Sequence, residues 1–129
     1  LFRFLIILLF ITSCAEKKKK LPSLKPYSEF IQTATEEVCK KILDCNSNFI
    51  RTFPQELAKE ITVSGCKNEI LKDLDFKLSV QTEKSKQLSK SCFESIINVD
   101  CKDFQMISFS EFSCIELNRE SKNIYSKSK

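Results

Sequence analysis

This chain of 129 residues predicts an all-α fold, a small disulfide-stapled bundle of four to six helices. Three observations point to it. There is one glycine, and tight hairpin turns want glycine or asparagine, so a sheet of hairpins is disfavoured. Apolar residues between 28 and 118 recur at three- and four-residue steps, the period of an amphipathic helix. Of seven cysteines, six lie in that stretch: Cys39, Cys45, Cys66, Cys92, Cys101 and Cys114. An even set of cysteines in a small exported domain reads as three disulfides.

Export is the message of the first fourteen residues, LFRFLIILLFITSC. Arg3 precedes an apolar run from Phe4 to Ile11, and small hydroxyl residues lead into a cysteine, the order of a secretion signal. The ending Ile11-Thr12-Ser13-Cys14 resembles a bacterial lipobox. That resemblance implies cleavage between Ser13 and Cys14 and lipidation, palmitate included, of the Cys14 sulfur. A strict lipobox has Leu in place of Ile11 and Ala or Gly in place of Ser13; the departures resemble looser spirochaete-type signals. The alternative is a truncated, uncut anchor, since Phe4 to Ile11 is far short of the roughly 20 apolar residues of a span. The first residue is Leu, which points either to a non-AUG start or to residues missing upstream. Residues 1–13 are thus expected as signal peptide.

Residues 14–27 follow as a lipidated cysteine and a flexible tether rich in Lys and Pro. Lys17 to Lys20 repel one another and stay solvated. They either rest on anionic head groups, each worth about 1 kcal/mol there, or act as a spacer. The helical domain is expected over 28–118. A first helix runs from Ser28, a capping residue, to Cys45, with Ile31, Ala34, Val38, Ile42 and Cys45 on one stripe. A second starts at the Thr52–Gln55 capping box and ends at Gly65 as a left-handed cap. Cys66 opens a third, carrying Ile70, Leu74 and Leu78. A fourth covers about 80–98; its polar start is expected to project beyond the core. Two short helices complete the domain, one capped by Asp100, the other by a box over Ser108–Glu111. Residues 119–129 are expected to form a disordered tail.

Spacing narrows the disulfide pairing. Cys39 and Cys45 sit about 9 Å apart along one helix, beyond the roughly 7 Å that a bridge tolerates. An antiparallel hairpin of the first two helices would match Cys66 with Cys39. Cys45 would then reach Cys92, and Cys101 would clip to Cys114.

Several functions lack their residues. Histidine is absent, which removes the commonest general base and zinc ligand. No Cys-x-x-Cys pair suits a zinc site or thioredoxin-like chemistry. The +4 net charge sits at the ends of the chain, unlike a nucleic-acid-binding field. Glu36–Glu37 and Asp73–Asp75 point to different helix sides. Lys84, Ser85, Lys86, Ser89 and Lys90 invite a Ser–Lys reading but make an ordinary solvated face. No catalytic residue, metal site, cofactor or nucleic-acid partner is therefore expected, and the chain reads as a non-enzyme. Phe104, Phe109 and Phe112 read as core first and as groove lining second.

The stretch Cys92 to Cys114, CFESIINVDCKDFQMISFSEFSC, together with CKKILDC at 39–45 and a lone Cys66, resembles a group of small cysteine-rich bacterial lipoproteins. These occur in spirochaetes such as Leptospira and, with related spacing, in myxobacteria; their function is uncharacterised. The resemblance implies an address and a fold type and no active site. The expectation is a monomeric lipoprotein held in the bacterial cell envelope by lipid on Cys14, facing the periplasm or exposed on the outer membrane. It would serve as a binding or structural module for an envelope or host protein. The alternatives are a small lipid-handling protein or an envelope hydrolase.

Overall fold

The computed structural model describes residues 18, 19, 21 and 26–127. Residues 1–13, expected as a signal peptide, and Cys14 lie outside the described residues. Within them the chain is all-α and disulfide-stapled, with eight helices and no strand. The fold class follows the sequence; several boundaries and caps do not.

Helix α1 (Tyr27–Cys45) is the longest. Its stripe buries Phe30, Ile31, Ala34 and Val38 as the periodicity requires. The expected cap, Ser28, lies inside the first turn. The helix starts instead at Pro26, whose carbonyl accepts from the Glu29 and Phe30 amides at 2.9 and 3.0 Å. Proline before the first turn fits, because its missing N–H has no helical partner to lose. At the far end Asn46 closes the helix through its side-chain amide, which donates to the Ile42 carbonyl at 2.8 Å.

The helix predicted from Thr52 to Gly65 is divided between α3 (Gln55–Glu60) and α4 (Val63–Ile70), and a short α2 (Ser47–Ile50) precedes it. The Thr52 box does not form; its hydroxyl donates to the Phe49 carbonyl at 2.7 Å instead. The effective cap is Thr62, in extended backbone, whose hydroxyl accepts from the Gly65 amide at 3.0 Å. Gly65 therefore lies inside α4, and no glycine has positive φ. Its absent side chain matters for space: a Cβ there would sit 3.3 Å from both the Glu60 carbonyl oxygen and the Thr62 hydroxyl. The left-handed residue is Asp73, φ 56°, in the turn before α5 (Leu74–Val80). Asp tolerates that region better than most residues with a Cβ.

Helix α6 (Glu83–Asn98) opens with a reciprocal capping box. The Ser85 amide donates to the Thr82 hydroxyl at 3.1 Å, and the Thr82 amide to the Ser85 hydroxyl at 2.9 Å. The expectation that its polar start projects beyond the core is corrected here: Ser85 is 1% exposed and Ser89 is also buried. Small hydroxyl side chains let neighbouring helices approach closely, and Ser89 accepts a hydrogen bond from the Tyr27 hydroxyl at 2.9 Å. A 3-10 turn (Phe104–Met106) and α7 (Ile107–Ser110) lead into α8 (Phe112–Lys127). The Ser108 box is replaced by Glu111, whose carboxylate takes both the amide and the hydroxyl of Ser113 at 3.0 Å. The tail is also corrected: residues 119–127 continue α8. Glu120 pairs with Lys84 at 3.1 Å, and the Tyr125 ring lies against Phe76.

The long helices have clear directions. Tyr27 meets Ser89 and Phe30 stacks on Phe93, while Cys45 beyond them is bonded to Cys101. α1 and α6 thus run parallel. Contacts of α6 with α8 pair Lys84 with Glu120 and Cys92 with Cys114, so those two are antiparallel. The apolar core gathers Leu21, Phe30, Ile31 and Ala34, with Leu74, Leu78, Phe93 and Ile97 packed around it. Leu21 belongs to the segment expected as flexible tether. It is 3% exposed, and beside it the Lys19 backbone exchanges two hydrogen bonds with the Asn98 side chain, at 2.8 and 3.0 Å. At Lys19 and Leu21 the tether is part of the folded domain.

Candidate functional site

The six domain cysteines form three bridges: Cys39–Cys66, Cys45–Cys101 and Cys92–Cys114. The first is the pair that the spacing favoured. The other two differ from the expectation, and helix direction explains why. Cys92 stands level with Phe30, whose ring stacks on neighbouring Phe93. Cys45 lies fifteen residues beyond Phe30, about 22 Å further along α1, out of reach of Cys92. It arrives instead beside the loop that leaves α6, where Cys101 waits. Cys92 faces α8 and meets Cys114.

A chain of alternating charge crosses α1. Lys67 on α4 pairs with Glu36 at 3.3 Å. Lys40 bridges Glu36 and Glu37 at 2.9 and 3.1 Å. Glu37 in turn receives the Lys19 ammonium. Hydrogen bonds from Lys40 and then Lys67 hold the Glu36 carboxyl below its ordinary range. The bond from Lys19 does the same for Glu37, and Glu36 followed by Glu37 raises Lys40. Each shift moves the group away from neutrality, opposite to what a general acid or base working near pH 7 requires. The network joins α4, α1 and the Lys19 segment, and its chemistry is that of a clasp.

The Ser–Lys residues do not converge on one another. Ser85 is committed to the capping box and Ser89 to Tyr27. Lys84 pairs with Glu120, and Lys86 with Glu83 at 2.8 Å, which lowers the Glu83 pKa. The Lys90 ammonium stands 5.6 Å from the centre of the Phe30 ring. Asp73 serves the turn into α5. Among the described residues no group of three or more His, Cys, Asp or Glu side chains is placed to hold a metal ion.

One apolar cavity of about 170 Å³ lies between α1, α4, α5, α6 and α8. Ile31, Leu74, Leu78, Phe93 and Leu117 line it, with Gln81 at its wall. The Gln81 side-chain carbonyl is buried and has no hydrogen-bond partner among the described residues. Cavities of about 150 Å³ hold a benzene ring, so this one suits a ring-sized apolar group and is too small for a full acyl chain. Thr35, on the buried face of α1, likewise has an unpartnered hydroxyl.

The Phe group at the end of the domain is neither core nor groove. Phe104 is half-buried, but Phe109 and Phe112 are 76% and 72% exposed, with Met106 exposed beside them in sequence. Sequence reasoning missed this surface because aromatic residues at helical spacing ordinarily face inward. It missed the Lys19–Leu21 contacts because lysine and proline dominate that stretch; Leu21 itself was the signal.

Compared with protein-family models, curated proteins and solved structures, the chain finds no match.

Proposed function

We propose that the chain is a bacterial lipoprotein of the spirochaete type, cut before Cys14 and held to an envelope membrane by acyl chains on that residue. The domain it carries is a disulfide-stapled binding or structural module, facing the periplasm or exposed on the outer membrane, with an envelope or host protein as its partner.

The observation that carries this reading is the arithmetic of the cysteines. Seven are present, and three bridges use six of them. The seventh, Cys14, follows directly on a charged, apolar and small-residue leader. Three disulfides also fit an oxidising compartment outside the cytosol. No helix among the described residues is long and apolar enough to cross a membrane.

Metabolic labelling tests it. The full chain, expressed with its leader in a bacterium fed an alkyne-tagged palmitate analogue, is expected to take up label and to fractionate with membranes. Cys14→Ala should lose the label and accumulate as uncut precursor. A wild-type chain without label, or a labelled Cys14→Ala chain, overturns the reading.

A further inference from the structure

We infer that the end of the bundle carrying Lys19, Met106, Phe109 and Phe112 docks directly on the surface of the bilayer that holds the anchor. The inference rests on the proposed lipidation of Cys14.

The first ground is the length of the leash. A free tether over 14–27 would have thirteen links and reach about 45 Å. The Lys19 backbone, however, is bonded to Asn98, its ammonium to Glu37, and Leu21 is buried in the core. Only five links separate Cys14 from this clamp, a reach of at most about 18 Å. That is shorter than α6, whose sixteen residues extend about 24 Å. The domain therefore cannot stand away from the membrane, and the end that contains Asn98 is the end held close.

The second ground is what else lies at that end. Asn98 is the last residue of α6, and the loop beyond it is tied by Cys101 to the end of α1. α7 follows that loop, and α8, antiparallel to α6, starts from the same end. Met106, Phe109 and Phe112 accordingly gather toward the clamped end, exposed. Exposed aromatic side chains of this kind gain by entering the head-group region, where apolar rings are favoured. Lys18, Lys19 and Lys41 line a depression there with Asp100; with Lys19 paired to Glu37, Lys18 and Lys41 still outnumber Asp100, a small excess of positive charge that suits anionic head groups. Tyr125 and Phe76 mark the opposite end; Tyr125 is thirteen residues beyond Phe112 on α8, about 20 Å away.

The chain contains no tryptophan, so one introduced at either end reports alone. Full-length lipidated protein carrying Phe109→Trp, or Phe76→Trp as the distal control, is reconstituted into phosphatidylethanolamine–phosphatidylglycerol vesicles with and without brominated lipid. Both native residues are exposed, so the changes spare the core. Bromolipid is expected to quench Phe109→Trp by about twofold and shift its emission to the blue, as for an interfacial indole, and to leave Phe76→Trp unchanged. Vesicles that carry the protein on flotation but quench neither probe, or both equally, overturn the docking while the anchor stands. Protein that fails to float overturns anchor and docking together.

Discussion

The three long helices and the five short ones are built by different means. α1, α6 and α8 hold every buried residue among those described except Leu21. α2, α3, α4, α5 and α7 hold none. The long helices pack as amphipathic helices do, through Phe30, Ile31, Ala34 and Val38 on one side and the small residues Ser85, Ser89 and Ser113 on the others. The short ones are too brief to be stable alone and bury too little to compensate. Among them, α4 is tied by Cys66 to Cys39 and by the Lys67–Glu36 pair, and the loop before α7 by Cys101 to Cys45, while α5 rests Leu74 and Leu78 on the core. The comparison teaches that covalent staples do for this periphery what a thicker core does in larger domains.

Reduction is the strongest way to break that contrast. Each bridge contributes about 2–4 kcal/mol, comparable in sum to the whole stability of a small domain. With all three reduced, the domain is expected to lose cooperative melting by circular dichroism. If amide exchange then shows the short helices still protected, the staples are not what holds them.

A pair of aromatic truncations sharpens it next. Phe30 is 1% exposed and packed between Tyr27 and Phe93, so Phe30→Ala should cost about 3–5 kcal/mol in urea unfolding. Phe49 on α2 is exposed and meets Phe53 edge-on. Phe49→Ala should stay within about 1 kcal/mol. Equal costs would mean that α2 shares the core after all.

The smallest effect concerns the Lys19 clasp. The bond from Lys19 lowers the Glu37 pKa from its ordinary 4.5. A carboxyl lowered on folding adds stability that is complete above its unfolded pKa and lost as pH falls through the folded value. Wild type should therefore exceed Glu37→Gln by about 0.5 kcal/mol at pH 7, and the gap should close below pH 4.5. A gap that persists in acid would show that the ammonium does not act through the carboxylate charge.

How much of this was legible in the sequence depends on whether the information was local. The stripe of α1 was, because Ile31, Ala34 and Val38 repeat at the helical period whatever they face. The even cysteine set was legible too, as a count. The pairing was not, because it turns on whether α1 and α6 run parallel, and periodicity records a face without its partner. Thr52 and Thr62 look alike as caps; only the fold decides which hydroxyl finds an amide. Ser85 and Ser89 read as solvated because polarity was weighed and size was not. Phe109 and Phe112 misled in the opposite direction, apolar residues left outside. The proposed cleavage and lipidation at Ser13 and Cys14 rest on a sequence motif alone and lie outside the described residues.

The order of the three bridges along the chain has one more consequence. The loops they close span 39–66, 45–101 and 92–114, and each overlaps the next. Every peptide bond between Cys39 and Cys114 thus lies inside at least one covalent ring. A protease that nicks the chain once anywhere in that interval, at any of its many lysines, releases no fragment; both pieces remain joined, and the cut is silent until the bridges are reduced.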